Sequence, residues 1–230
     1  MTVLRILSAG AAMGLLKELK SEFEAGSGCS VAAAFGPVGT IAEQLALGAP
    51  CDVLITSEKM YRQSLERDVR GASGVAELGS VCTSVAVRVH DRLLDVSTPQ
   101  LLRQSLLTCD AIFFPDPDRS TAGIHLVRTL DQLGIRDRLI DRLRPFPEGA
   151  AAMSALARCS DSRPVGCTQA TEIAYTEGVT EAGPLPEPHR LDTKYFAVAV
   201  SELGTGIAAE FIEFLGRGHV RHLIKQAGFL

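Results

Sequence analysis

The sequence has few aromatic residues and no tryptophan: Phe, Tyr and Trp together make up 5 % of its 230 residues. Its apolar runs fall well short of the ~18 residues that a membrane-spanning helix needs. Lys and Arg number 23 against 27 Asp and Glu, a formal net charge of −4, which argues against a nucleic-acid-binding protein that neutralises phosphates. With rings scarce, we expect any ligand site to use backbone amides and small side chains.

The start of the sequence has no pattern typical of a secretory signal, because Arg5 interrupts the only apolar run there. We therefore expect a cytoplasmic protein without membrane insertion, or a periplasmic one if a leader has been removed. The six cysteines include no C-x-x-C pair, so we expect no metal and no cofactor. In the cytosol they would remain thiols, and most would serve as small buried apolar side chains.

Apolar residues make up 46 % of the chain, enough for a sizeable core and too many for wholesale disorder. Short β-prone segments alternate with segments of helical periodicity, which predicts a parallel sheet with helices on its faces. The predicted strands are residues 3–7, 31–35, 51–57, 81–89, 111–114, 164–168 and 195–200. The predicted helices are residues 13–23, 41–47, 98–105, 124–133, 149–158, 206–215 and 218–230. Residues 183–188 contain three prolines and are expected to be irregular.

Three predicted strand-to-helix junctions consist mainly of small residues, at positions 8–12, 36–40 and 119–123. In a parallel α/β sheet such junctions lie at the carboxyl edge of the strands, where ligands bind. The first turn of each helix has unpaired N–H groups and a partial positive charge. One such junction would be ordinary helix capping, but three at one edge favour a site for a compact anion.

Several motifs occur in a fixed order along the chain. They are a strand, small-residue turn and helix (7–19), FGPVGT before IAEQL (35–45), GAPCDVLITS (48–57), DPD with AG before a helix (116–123), and AEFIEFL through GFL (209–230). Together they resemble the type II periplasmic-binding-protein superfamily, and specifically its molybdate-binding branch, over nearly the whole chain. The run at 48–57 and the order of the set are the more specific parts of this resemblance.

The resemblance implies an α/β fold of two lobes, each a mixed, mostly parallel sheet flanked by helices. Lobe one would be residues 1–81 plus 196–230, and lobe two residues 82–195. Two strand crossings, near 80–83 and 193–196, would join them. A ligand would bind in the cleft between the lobes, which close by hinge motion in such proteins.

The sequence departs from the molybdate binders at positions where they present hydroxyl groups. Ala11 aligns with a serine of their first loop, and Pro37 or Val38 with a serine of their second. Thr121 replaces a proline in the third loop, where Arg119 adds a planar guanidinium that suits a carboxylate. These departures point to an organic di- or tricarboxylate in preference to molybdate.

The late strand that ends near Thr168 and Gln169 aligns with a strand and loop that carry a tyrosine in the molybdate binders. The full set of expected ligand-binding residues is Ser8, Gly10, Ala11, Gly39, Thr40, Arg119, Ser120, Thr121, Ala150, Thr168 and Gln169. The same residues have ordinary interpretations: Arg119 as a surface charge beside two aspartates, Ser120 or Thr121 as a helix N-cap, and Thr168 as strand filler.

Two functions fit the sequence. The first is a binding protein that captures a small anion without chemistry; its partner would be that anion, and a transporter would be a second partner only if the chain is exported. The second is an isomerase of an unsaturated carboxylate, because aconitate isomerases also resemble the molybdate binders. Allylic proton transfer requires one acid–base group, and the weak candidates for a catalytic role are His125, Glu148, Cys167 and Thr168. No nucleic-acid partner is expected.

Overall fold

The computed structural model of the protein describes residues 2–68, 74–200 and 206–230. The chain divides into two compact units, Met1–Val81 with Thr193–Leu230, and Cys82–Asp192. Strand β4 (Val75–Arg88) leads from the first unit into the second, and β9 (Asp192–Ala199) leads back. The sequence placed the second crossing near 193–196 and the boundary between the lobes at 195/196, whereas the units change at 192/193.

The first unit contains a sheet with the order β2-β1-β3-β9, followed by the first part of β4. β1 is parallel to β2 and β3, and β9 is antiparallel to β3. The elements before β4 are β1 (Val3–Ala9), a 3-10 turn (Gly10–Ala12), α1 (Met13–Ser27), β2 (Ser30–Gly36), α2 (Val38–Ala46), β3 (Val53–Ser57) and α3 (Glu58–Asp68). Helices α9 (Ile207–Leu215) and α10 (Gly218–Gln226) follow β9.

Hydrophobic periodicity explains the first unit's packing. All five residues of β3 are buried, as in an interior strand covered on both faces. Helix α1 buries Leu15, Leu16, Leu19 and Phe23 on one stripe and exposes its lysines and most of its glutamates. It ends where Gly28 adopts the left-handed conformation (φ 68°) and donates its N–H to the carbonyl of Glu24.

The second unit contains a sheet with the order β8-β4-β7-β5-β6. β5, β6 and β7 are parallel, and β4 is antiparallel to β7 and β8. After β4 come α4 (Pro99–Thr108), β5 (Ala111–Pro115), α5 (Thr121–Gln132), α6 (Arg136–Leu139) with a 3-10 turn (Ile140–Arg142), and β6 (Leu143–Phe146). They are followed by α7 (Gly149–Arg158), β7 (Pro164–Gln169), α8 (Ala170–Tyr175) and β8 (Val179–Pro184).

Two apolar layers cover the two faces of this second sheet. One includes Leu126 and Leu130 of α5 together with Cys167 of β7. The other includes Met153 and Leu156 of α7, and a Cβ added at Gly166 would press against both side chains. Because side chains alternate along a strand, Thr168 faces the α7 layer and Gln169 the α5 layer.

One predicted irregular segment is wrong in part. Gly183 and Pro184 complete β8, where Gly183 pairs with Val85 and Pro184 with Ser84. Because β8 lies at the edge of the sheet, a proline there costs no interior ladder hydrogen bond. The helices α3, α6 and α8 and the strands β6 and β8 were not predicted at all.

The six cysteines are free thiols, of which Cys29, Cys109 and Cys167 are buried. Within the described residues, no helix combines the length and the hydrophobicity that crossing a bilayer requires.

Candidate functional site

The carboxyl ends of β1, β2 and β3 lie side by side at one edge of the first unit's sheet. Ser8 of β1 is opposite Phe35 of β2 and Ile55 of β3, and all three strands are parallel. The 3-10 turn before α1 and the starts of α2 and α3 therefore follow at one edge. This is the edge at which α/β proteins bind ligands.

Helix α2 offers uncapped backbone N–H groups at this edge. It begins directly after Pro37, and no side chain in the described part of the chain caps its first turn. Gly39 and Thr40 lie in that turn and are half-buried. Uncapped N–H groups at a helix start carry partial positive charge, which suits an anion.

The turn after β1 consists of small residues, and the serine before it hydrogen-bonds to the local backbone. Ser8 is fully buried, and its hydroxyl donates to the carbonyl oxygen of Ala9 at 3.0 Å. Gly10 and Ala11 are buried in the 3-10 turn that follows. The Ser8 hydroxyl, which we expected to donate to a ligand, donates instead to the backbone of the same segment. The donors that this segment offers a ligand are therefore its backbone N–H groups.

In the second unit, an aspartate shapes the turn between β5 and α5. The Oδ1 atom of Asp116 accepts the N–H of Asp118 at 2.8 Å and the N–H of Arg119 at 3.0 Å. The side chains of Asp118 and Arg119 are exposed, whereas Asp116 is half-buried. The turn thus holds the Arg119 backbone in a fixed place and leaves its guanidinium on the surface.

The N-terminus of α5 lies directly against the end of β5. A Cβ at Gly123 would clash with the carbonyl oxygens of Pro115 and Asp116, so only glycine permits this approach. Ser120 is the N-cap residue and Thr121 the first residue of the helix, both half-buried, and no side-chain cap bond is formed at Ser120 within the described residues.

A buried carboxyl group joins two helix starts in the second unit. Thr168, at the end of β7, donates its hydroxyl proton to Oε2 of Glu172 at 2.5 Å. The Glu172 carboxyl also accepts the backbone N–H groups of Gln169 and Gly149, and Glu172 is only 7 % exposed. A Cβ at Gly149 would clash with this carboxyl and with the Thr168 hydroxyl.

Burial raises the pKa of Glu172 to about 7, because the charged form loses its hydration. The hydrogen bonds from Thr168 and Gln169 oppose this rise in pKa, and the nearby carboxylate of Glu148 adds to it. A carboxyl group that exchanges its proton near neutral pH is the kind of group that functional sites contain.

Further polar side chains are buried around the end of β7. Both amide atoms of Gln169 and the hydroxyls of Thr83 and Thr171 have no hydrogen-bond partner among the described residues. Gln169 is 4 % exposed, Thr171 6 % and Thr83 0 %. Native proteins satisfy nearly all such groups, so this concentration marks the carboxyl end of β7 as unusual.

The first turn of α7 lies at the same edge as α5, because β5, β6 and β7 are parallel neighbours. Glu148 is the N-cap residue, and it makes no side-chain cap bond in the described residues. Ala150, in the first turn, is half-buried. The expected residues Arg119, Ala150 and Thr168 therefore lie at or just after the carboxyl ends of three adjacent strands.

Two candidates for a catalytic role are engaged elsewhere. His125 of α5 donates from Nε2 to the carbonyl of His189 at 2.7 Å. Cys167 lies in the apolar layer against α5, and burial raises its pKa to about 12, so the thiol stays protonated near neutral pH.

Sequence reasoning missed Glu172, Thr171 and Thr83. The signal that could have found the first two is the polar run Thr168, Gln169, Thr171 and Glu172 directly after a buried strand. Thr83 belongs to a different strand, and only its pairing with Gln169 brings it to this place.

Comparisons with known proteins agree with this architecture. The chain is 22 % identical over 229 residues to the molybdate-binding protein ModA of Escherichia coli, covering 97 % of this chain and 87 % of the relative. It is 23 % identical over 234 residues to an aconitate isomerase of a Pseudomonas species, covering 99 % and 87 %. The periplasmic molybdate-binding protein of Azotobacter vinelandii superposes with a TM-score of 0.78 at 18 % identity, over 99 % of this chain and 98 % of that one.

These likenesses confirm the predicted type II periplasmic-binding-protein fold and the resemblance to the molybdate-binding branch. The match to a known family extends over residues 4–230, nearly the entire sequence. The chain therefore belongs to the bacterial extracellular solute-binding protein family.

Proposed function

We propose that this protein binds a small organic anion with two or three carboxylates and releases it unchanged. The observation that carries the proposal is the alignment of helix starts at the carboxyl edge of each sheet. In the first unit these are the small-residue turn before α1 and the start of α2; in the second they are the starts of α5 and α7. Compact anions bind well at such N–H groups.

The relatives support a small anion as the ligand class. The Escherichia coli and Azotobacter vinelandii proteins are both named for binding molybdate. In this chain, however, few side-chain hydroxyls are available at the turns. Ala11 and Pro37 have none, and the Ser8 and Thr168 hydroxyls donate within the protein. The hydroxyls left at these helix starts are those of Thr40, Ser120 and Thr121. An oxyanion that needs many hydroxyl donors is therefore a poor match.

Arg119 supports a carboxylate as the anionic group. Its side chain is exposed in the turn before α5. The guanidinium is planar and presents two parallel N–H donors, a geometry that matches the two oxygens of a carboxylate.

A ligand panel tests the proposal on the full-length protein. Citrate, cis-aconitate and trans-aconitate are compared with molybdate and sulfate by thermal shift, and the positive ligands by calorimetry. We expect the carboxylates to raise Tm, since a ligand that binds only the folded state stabilises it. Stabilisation by molybdate or sulfate alone would overturn the carboxylate assignment.

Isomerisation of an unsaturated tricarboxylate is the second candidate. Glu172 favours it, because its pKa of about 7 suits a group that both takes and returns a proton. The aconitate isomerase relative matches over 99 % of this chain. In such a reaction a base removes a proton from the methylene carbon, the double bond shifts, and the proton is returned to the former alkene carbon.

Proton NMR in deuterated buffer separates the two functions. If the protein is an isomerase, cis-aconitate gives the trans isomer with deuterium incorporated at carbon. If it only binds, the spectrum of cis-aconitate stays unchanged apart from line broadening. Glu172→Gln is the variant that should abolish turnover, with the citrate affinity as the check that the protein is folded.

A further inference from the structure

Thr83 and Gln169 form a polar pair on one face of the second unit's sheet. They are register partners in the antiparallel ladder between β4 and β7, so their side chains point to the same face. Gln169 is the last residue of its strand and the N-cap of α8. Both side chains are more than nine-tenths buried, and neither has a hydrogen-bond partner among the described residues.

The backbone shows how close the two side chains lie. Thr83 donates its N–H to the carbonyl of Leu191 at 2.9 Å and accepts the N–H of Leu185 at 3.1 Å. Its backbone therefore bonds away from β7, which makes Thr83 and Gln169 a non-hydrogen-bonded pair. In such pairs the Cα atoms are about 4.5 Å apart and the side chains are neighbours.

The neighbouring carboxyl group holds Gln169 in place. Glu172 accepts the backbone N–H of Gln169 and the hydroxyl of Thr168. The backbone on the N-terminal side of the amide side chain is thus held by this carboxyl group. A fixed, buried amide with an unpaired donor and an unpaired acceptor is costly in free energy unless something pairs with both.

Resting on the proposed function, we propose that Thr83 and Gln169 bind a hydroxyl group of the ligand, which makes the ligand a hydroxycarboxylic acid. A hydroxyl group donates one hydrogen bond and accepts others, so it can pair with Oε1 and Nε2 of Gln169 together. A carboxylate or an inorganic oxyanion only accepts, and would leave Oε1 of Gln169 unpaired.

Matched pairs of acids test this specificity. Malate is compared with succinate, and citrate with propane-1,2,3-tricarboxylate, because the members of each pair differ only in the hydroxyl group. Sites that bond a ligand hydroxyl reject analogues without it. Calorimetry on the wild-type chain is expected to give at least tenfold tighter binding for the hydroxy acid of one pair.

Two variants test whether Thr83 and Gln169 cause that preference for the hydroxy acid. Gln169→Met and Thr83→Val keep the side-chain size and remove the hydrogen-bonding groups. In the pair that shows the preference, each variant is expected to reduce the affinity ratio to below threefold, while the affinity for the acid without the hydroxyl group stays within threefold of wild type. Without ligand, Gln169→Met is expected to raise Tm, because it removes an unpaired buried amide; a merely structural amide would lower it on removal.

Thr129→Val is the matched control. Thr129 is also fully buried with an unpartnered hydroxyl, but it lies within α5. This variant should keep the wild-type ratio. If wild type binds both acids of each pair equally, or if Gln169→Met leaves the affinity ratio unchanged, the hydroxyl assignment is wrong while the proposed anion binding stands. If none of the four acids binds, both the proposed function and the hydroxyl assignment are wrong.

Discussion

The hydroxyl of Thr168, in β7, and the carboxyl group of Glu172, in α8, are joined by a 2.5 Å hydrogen bond. The same carboxyl group accepts N–H groups at the starts of α7 and α8. The Glu172 side chain thus accepts hydrogen bonds from backbone N–H groups that the starts of α7 and α8 would otherwise leave unpaired. The carboxylate of Glu148, the N-cap residue of α7, lies near it.

The first prediction concerns stability and pH. Burial raises the pKa of Glu172 from 4.5 to about 7, so the folded protein keeps this proton up to a higher pH than the unfolded chain does. The contribution to stability is therefore fully present below pH 4.5 and is lost as the pH rises to about 7. It amounts to about 3 kcal/mol of unfolding free energy over that range.

Urea denaturation of wild type and Glu172→Gln at intervals from pH 4.5 to 8 measures this contribution. The advantage of wild type over the variant should shrink as the pH rises and then level off above the folded pKa. Because Glu148 raises the pKa of Glu172, Glu148→Gln should move the midpoint to lower pH. A wild-type advantage that does not change with pH would contradict the prediction.

The second prediction concerns the space beside the buried carboxyl group. Gly149→Ala places a methyl group against Glu172 and Thr168, whose mutual hydrogen bond lies directly beside it. We expect a loss of about 2–3 kcal/mol in unfolding free energy, typical of overpacking. Chemical denaturation monitored by circular dichroism measures it.

Gly26→Ala is the control for that substitution. Gly26 also lies in a helix, α1, but apart from its chain neighbours and the nearby backbone of that helix, no atom of the described residues lies within 4 Å of an added Cβ. Alanine there should be neutral or stabilising by about 0.5–1 kcal/mol, because it favours the helix. Equal effects of the two substitutions would show that the carboxyl group gives way easily.

The sequence predicts the strand-to-helix turns well because their signals are local. A short β-prone run, a cluster of small residues and a helical period occupy consecutive positions, as at 3–23 and 31–47. In contrast, α8 has only six residues, too few for a periodic pattern. Glu172 was missed for that reason.

The pairing of Thr83 with Gln169 has no local signal at all. It depends on the register of β4 against β7, strands that are distant in the sequence. That register follows from which faces of the two strands are apolar once they are packed. A single sequence therefore identified Gln169 as a candidate and gave no reason to consider Thr83.

The third prediction concerns the turn before α5. Asp116→Ala removes the acceptor of two N–H groups, those of Asp118 and Arg119. We expect a loss of about 1 kcal/mol in stability and weaker binding of carboxylates, because Arg119 is no longer held in place. Asp116→Asn keeps an oxygen at that position and should lose less than half as much.

The exposed neighbour Asp118 separates this effect from simple charge removal. Asp118→Ala removes the same negative charge and leaves the acceptor of the turn intact. If charge alone mattered, both alanine variants would strengthen anion binding, since each removes repulsion. Calorimetry with citrate distinguishes the outcomes, and weaker binding in Asp116→Ala only would support the structural role.

The last prediction concerns Arg119 itself. Arg119→Gln should weaken citrate binding about tenfold, equal to about 1.4 kcal/mol, by removing a charge-assisted pair of hydrogen bonds. Arg128→Gln, which removes an exposed arginine further along α5, should have less than a twofold effect. The difference between the two variants should also diminish as salt rises from 50 mM to 500 mM, because screening reduces the contribution of an exposed charge. Equal affinities in Arg119→Gln and wild type at low salt would make Arg119 an ordinary surface charge, and the backbone N–H groups would then have to hold the ligand alone.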